Sequence, residues 1–437
     1  MAQLKPSKGP ANAYQGPRGP LQHRCAQCDA TGGVSLAICT GCRAVRYCSK
    51  THQIDDRPKH KAVCNKIKKQ RAKLLKEESL VRNAPNADGL FTPVNAFETH
   101  VGHFWGITNT RTYMRARFFL ADQLRKTNTL DGVQEGLGHL QDMLRLCRSD
   151  NLGVRSLVPA LMLQLDQDQE CYDFIKWYQT EGTRVDYDWG NMELPYLNIT
   201  DADPLESIAF MQRKYSDAYH TSTLVLLKIK MLVDVMNIRA TRMALQGKLP
   251  RELWQGVELA SIRSPLSAPL TKLSSSAIVG VQAKLARHVR ILGIVLLEDV
   301  NRHIPEGLLA PDEWLRDLPT SYSSGSAQEM QLVLDYSYGA WWATEGALES
   351  LHAAKADAAL AAEDEMDGMM QSESLRTRAE LLDDVSLTRI WGHFFMGTWQ
   401  EANKSGLDLD NPSPVLKRYL RAYMDENDEA DYYGSGS

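Results

Sequence analysis

The sequence predicts a mainly α-helical protein whose N-terminal part is a small, metal-dependent finger. Three observations carry this. Six of the eight cysteines fall between Cys25 and Cys64 in paired spacings, apolar residues recur at intervals of three and four through most of the remainder, and no run of alternating strands stands out between turn signals.

The chain opens on "MAQLKPSKGPANAYQGPRGP", rich in Pro and Gly and lacking the apolar core of a secretory signal, so residues 1–22 are expected to form a disordered arm. No apolar run approaches the ~20 residues that span a bilayer, the longest being of the kind seen in "ILGIVLL" at Ile291 to Leu297. The formal net charge of -4 conceals an asymmetry: Met1 to Glu78 carries 16 Lys/Arg against 5 Asp/Glu, a balance of +11 that leaves -15 for the rest. A basic head on an acidic body suits an acidic partner or nucleic acid, although lysines and arginines also simply solvate a small finger and its helix.

Residues 23–78 hold the chemistry. The spacing is Cys25-x2-Cys28-x10-Cys39-x2-Cys42-x5-Cys48-x3-His52-x7-His60-x3-Cys64. Two C-x2-C knuckles followed by two i, i+4 pairs supply eight candidate ligands, the number that two tetrahedral zinc ions require. A knuckle turns the backbone tightly enough to bring both thiolates to one metal, and residues four apart share one face of a helix. Ser49 is placed to cap a short first helix and Asp55 or Asp56 a second, with Pro58 near the start of the second, which continues through "NKIKKQRAKLLKEE". Disulfides are the rival reading, and the absence of a secretory signal favours metal. Zinc here is expected to be structural, because so short a segment cannot bury enough apolar surface by itself.

The order of knuckles and pairs, "YCS" at Tyr47 to Ser49, Gln53 and the closing "HKAVC" resemble a MYND-type zinc finger. A RING finger would end in C-x2-C rather than the H-x3-C of His60 and Cys64. In the MYND family the ligands interleave, giving a cross-braced finger. The resemblance therefore implies that Cys25, Cys28, Cys48 and His52 hold one zinc, and Cys39, Cys42, His60 and Cys64 the other. It also implies protein partners, through a groove for short proline-containing peptides. Two positions depart from the pattern: His52 stands where the family usually has Cys, and Arg57 where it typically has Trp. The first changes a four-thiolate site into three Cys and one His. The second replaces an aromatic surface with a planar cation suited to a carboxylate-bearing ligand.

Residues 79–110 read as a linker or entry segment, containing "RNAPNADGLFTPVN". Residues 111–424 are expected to be an all-α domain, with apolar faces at Val133, Leu137, Leu140, Leu144 and Cys147; at Val154, Leu157, Val158, Leu161 and Leu165; and at Cys171, Phe174, Ile175 and Tyr178. Further helices are expected around Thr221 to Ala244, Ala277 to Asn301, Glu329 to Glu365 and Val385 to Asn403. Between Tyr113 and Gln179 the helix lengths are those of tetratricopeptide-like hairpins, but the offset is nearer 40 residues than ~34. The array is repeat-like at most. The segment "CYDFIKWYQTEGTRVDYDWGNMELPYLNITDADP" resembles one found after MYND fingers in a group of fungal proteins of largely unassigned function; Trp177, Tyr187 and Trp189 read as anchors against the helices. Residues 425–437 read as an acidic, disordered tail.

No catalytic pattern emerges. There is no GxxxxGK[ST], HExxH or GxSxG, and no Asn-His dipeptide of the kind a SET methyltransferase uses to bind its methyl donor. Glu98, His100 and His103 in "ETHVGHFWG", "WGHFF" at Trp391 to Phe395 and the aromatic run "YGAWWATEG" are read as packing, and Cys147 and Cys171 as inert buried thiols. The expectation is a non-enzymatic protein-interaction protein with two structural zinc ions, acting as a scaffold or regulator in nucleus or cytoplasm. Nucleic-acid binding by Lys66, Lys68, Lys69, Arg71 and Lys73 is the alternative. No membrane partner and no small-molecule substrate is implied.

Overall fold

A computed structural model describes residues 16–84, 92–213, 216–246, 248–352 and 377. The expected helix from Val385 to Asn403, "WGHFF", most of the N-terminal arm and the acidic tail lie outside the described residues. Within them the regular elements are helices apart from two short antiparallel strands, β1 (Ala37–Ile38) and β2 (Arg46–Tyr47), paired Ala37 with Tyr47 and Ile38 with Arg46. Contacts divide the chain into two compact units, neither of which coincides with the expected 111–424 segment: Pro20–Gln167 with Thr180–Ile199, and Met1–Gly19 with Asp168–Gln179 and Thr200–Ser437.

In the first unit the longest element is α1 (Lys50–Arg82). Ser49 caps it as its position suggests, its Oγ accepting the N–H of His52 at 3.1 Å. The second cap does not exist. One continuous helix replaces the two expected, with Pro58 inside it, Asp55 exposed, and Asp56 buried and accepting the Tyr47 hydroxyl at 2.6 Å. The proline forfeits one backbone hydrogen bond. Against that loss, Asp56, His60, Cys64, Ile67, Leu74 and Val81 all fall on one buried stripe that only an unbroken helix produces.

That stripe packs on α3 (Thr110–Arg125), which packs in turn on α4 (Leu130–Leu146). A short helix, α2 (Ala96–Thr99), precedes this pair. Thr129 caps α4, accepting the Gly132 N–H at 3.2 Å. Gly132 and Gly136 allow α3 and α4 to approach closely: a Cβ at Gly136 would lie 3.2 Å from the Ala121 carbonyl, and one at Gly132 2.7 Å from that of Leu124. α5 (Val158–Gln164) rests on α4. In the 180–199 segment Tyr187 and Trp189 are half-buried and touch each other, ring centroids 4.9 Å apart, while Arg148 donates to the carbonyls of Asn191 and Leu194 at 3.3 and 3.1 Å.

The finger is bonded into this unit rather than tethered to it. Arg46, on β2, grips Asp131 of α4 through Nε and Nη2 at 2.7 and 2.8 Å. Arg71, on α1, donates Nη2 to Glu135 at 2.6 Å and to the Cys42 carbonyl at 2.9 Å, and Thr129 Oγ1 donates to the Ala44 carbonyl at 2.5 Å. Charge-assisted pairs of this forked kind fix orientation as well as distance.

The second unit is built around α7 (Ala218–Leu245), buried on nearly every side by α6 (Asp168–Gln179), α8 (Arg251–Ser261), α9 (Ser275–Ile294) and α12 (Ala327–Ala343). Its apolar residues therefore surround the helix rather than forming one stripe. Trp177 and Trp341 are fully buried here, as the sequence suggests. Two buried charged groups inside are matched: Lys230 pairs with Asp168 at 2.7 Å, and Asp234 accepts the N–H groups of Arg263 and Ser264 at 2.9 and 2.8 Å. α10 (Ile304–Leu309) and α11 (Pro311–Trp314) lead into α12. The helix expected from Glu329 to Glu365 is broken after Ala343, where Gly346 takes φ +90° and turns the chain, and helix resumes over residues 347–352; residues 353–365 lie outside the described residues.

Candidate metal centre

The two knuckles share one local design. In each, the residue after the second cysteine enters the left-handed region, Asp29 at φ 55° and Arg43 at φ 59°, and its N–H returns to the carbonyl of the first cysteine: Asp29 to Cys25 at 2.9 Å, Arg43 to Cys39 at 2.8 Å. The turn leaves both thiols on its concave side. α1 then presents His52, His60 and Cys64 from its first turns, with Cys48 standing just ahead of its Ser49 cap.

The eight groups converge as two clusters, Cys25 with Cys28, Cys48 and His52, and Cys39 with Cys42, His60 and Cys64, all ligand atoms of each lying within 4.8 Å of one another. Around a tetrahedral zinc with bonds of about 2.3 Å to sulfur and about 2.05 Å to nitrogen, sulfur–sulfur edges are about 3.8 Å and sulfur–nitrogen edges about 3.5 Å. Cys28 and Cys48 sulfurs are 3.7 Å apart and those of Cys39 and Cys64 3.8 Å. Cys25 Sγ lies 3.6 Å from His52 Nδ1, and Cys42 Sγ 3.5 Å from His60 Nε2. Only Cys48 Sγ to His52 Nδ1, at 3.1 Å, is tighter than such an edge. The donor sets fit two zinc ions, each held by three thiolates and one neutral imidazole. Every sulfur and nitrogen is then used by the ion, leaving no open position for a substrate.

The surroundings favour thiolates where the knuckles begin. Burial raises the Cys25 thiol, but the backbone of Cys48, Gln27 and Cys28 with the His52 ring outweighs it and draws the group down to about 6. Cys39 behaves alike: burial raises it, and the Cys42 backbone and the His60 ring bring it to about 6. The second cluster is the better enclosed. Cys39, Cys42, His60 and Cys64 are buried, whereas in the first Cys28 is exposed and Cys48 and His52 are half-buried. Tyr47 braces the second, its ring edge-on to His60 at 6.1 Å and its hydroxyl on Asp56.

One residue that sequence reasoning passes over is Gly41. A Cβ there would lie 2.8 Å from Cys64 Sγ, inside the second centre. A glycine between two knuckle cysteines was the available signal. The two histidines also differ in a way that spacing does not reveal, His52 facing its cluster with Nδ1 and His60 with Nε2. Nδ1 is one bond farther from Cβ than a cysteine sulfur, and Nε2 two bonds farther. His52→Cys is therefore expected to keep both zincs, His52→Ala to weaken one, and His60→Cys, too short to reach, to lose the second; native mass spectrometry counts the ions.

Elsewhere, Glu98, His100 and His103 do not converge, and His100 Nδ1 lies 2.9 Å from the Thr99 hydroxyl. Cys147 and Cys171 are buried and outside both clusters, with burial pushing the Cys171 thiol well up. Of the five cations weighed for nucleic acid, Arg71 is committed to Glu135 and Cys42, and Lys73 lies over the Phe119 ring at 5.9 Å.

Fold and site thus define a two-zinc, cross-braced finger bonded to helices. Residues 25–64 match the family model of the MYND finger, a non-catalytic, zinc-binding module that mediates protein–protein interaction. No curated protein and no solved structure matches the chain. No helix among the described residues is long and apolar enough to cross a membrane.

Proposed function

We propose that this chain is a scaffold or regulatory protein whose MYND finger recruits other proteins, with Cys25, Cys28, Cys48 and His52 holding one structural zinc and Cys39, Cys42, His60 and Cys64 the other. The observation that carries the reading is the convergence of eight donors into two centres that the rest of the unit is built against. Metal here shapes a recognition surface, and the helices present it. Nucleus or cytoplasm is the setting, with transcription or development the processes that the family resemblance suggests. No catalytic role is assigned to the helical body.

The recognition surface differs from the usual one of the family at Arg57, which is exposed, while Gln53 is half-buried beside it on α1. An exposed guanidinium favours carboxylates over an apolar proline ring. Peptide arrays should therefore return acidic sequences, with Arg57→Glu weakening them about tenfold and Arg57→Trp shifting preference toward proline-containing peptides. A pull-down compares the intact protein with Cys39→Ser; recovery of the same partners by both would overturn the zinc-dependent reading.

A further inference from the structure

In the second unit a cavity of about 760 Å³ opens between the C-terminal end of α7, α8 and the segment leading into α9. Its charged lining is unbalanced, with Arg239, Arg242 and Lys272 against the single carboxylate of Glu258. Arg242 donates Nε and Nη2 to Glu258 at 2.8 and 3.3 Å and Nη2 again to the Thr271 carbonyl at 2.9 Å, which holds the guanidinium plane rigid and leaves Nη1 without a hydrogen bond among the described residues. Arg239, only 7% exposed, donates Nη1 to Gln282 and adds its charge behind the wall, and Lys272 is exposed at the rim with no carboxylate partner among the described residues. Trp254, Met243 and Val279 add an apolar side, and Ser275 and Ser276 add hydroxyls. Cavities of roughly 300–1,000 Å³ with an apolar wall and a few convergent polar groups are the size and chemistry of small-ligand sites.

We propose that this cavity binds a small organic anion, its carboxylate or phosphate held by Arg242 Nη1 and Lys272 and its apolar body against Trp254 and Met243. With Nε and Nη2 held by Glu258 and Thr271, Arg242 keeps Nη1 to donate one charge-assisted hydrogen bond to such a group. The site is independent of the finger, so a zinc-binding failure and a failure here are separate results.

Calorimetric titration of the full zinc-loaded chain with phenyl phosphate, inorganic phosphate and benzyl alcohol tests it. Phenyl phosphate is expected to bind saturably, and both inorganic phosphate and benzyl alcohol more weakly. Lys272→Glu, at an exposed position, and Met243→Glu, at a side chain 43% exposed, should each weaken phenyl phosphate about tenfold while leaving zinc content unchanged. The proposal is overturned if phenyl phosphate shows no saturable binding, if inorganic phosphate or benzyl alcohol binds as tightly, or if neither variant changes its affinity.

Discussion

Chelating the zinc, or making Cys42→Ser, is expected to unfold the finger and to loosen the start of α4 with it. Structural zinc contributes on the order of 10 kcal/mol to a finger of this size, far more than its small apolar core can replace. The effect spreads because the Cys42 carbonyl is one of the acceptors that fix Arg71, which also holds Glu135 on α4, and because the Ala44 carbonyl accepts from Thr129, the α4 cap. Losing Cys42's position therefore costs α4 a positioned cation and weakens its cap. Hydrogen exchange should show lost protection across residues 25–64 and faster exchange over residues 129–137. Unchanged exchange over 129–137 after metal removal would mean that the finger and α4 fold separately. The same experiment at limiting chelator should open the Cys28-containing cluster first, since its ligands are the more exposed.

Lys228→Met is expected to stabilise the second unit at neutral and acidic pH. Lys228 is fully buried on α7, its Nζ donating to the Pro204 carbonyl and lying 4.5 Å over the Tyr172 ring. Glu206, one of the two carboxylates that act on it, is already shared by the Tyr172 hydroxyl at 3.0 Å and Lys176 at 2.6 Å. Burial pushes the ammonium from 10.5 down to about 7, only partly opposed by Asp203 and Glu206. Between those two values the unfolded chain binds a proton that the native chain does not, so native stability rises with pH across the window and the penalty is complete below about 7. Methionine has similar length and no charge, and the Pro204 carbonyl loses a donor, which offsets about 1 kcal/mol. A net gain of ~2–4 kcal/mol is expected at pH 6, shrinking toward pH 10. Denaturant unfolding followed by hydrogen exchange on α7 measures it, and a destabilisation at pH 6 equal to that at pH 9 would contradict the argument.

The ligands were legible because metal chemistry restricts residue type and spacing together: no packing preference places six cysteines and two histidines in knuckles and i, i+4 pairs. A helix such as α4 was legible for a similar reason, its apolar residues recurring along one buried face. What the sequence hid were features set by distant contacts. Pro58 reads as a helix start because local propensity says so, yet two ligand pairs and the stripe down to Val81 hold the helix through it. Gly41 looks like an ordinary turn residue until Cys64 arrives from α1. The unit boundary fell elsewhere than residue 111 because Asp131 and Glu135, unremarkable surface acids in sequence, are the partners of Arg46 and Arg71. Gly346 ends α12 within a run whose composition otherwise continues a helix.

The central claim is that two ions are held by interleaved Cys3His sets. Substituting cadmium-113 for zinc and correlating its resonances with histidine ring protons tests this most directly. Two resonances are predicted, one coupled to the His52 ring and the other to the His60 ring; a single resonance, or one ion coupled to both rings beside one coupled to neither, would contradict it.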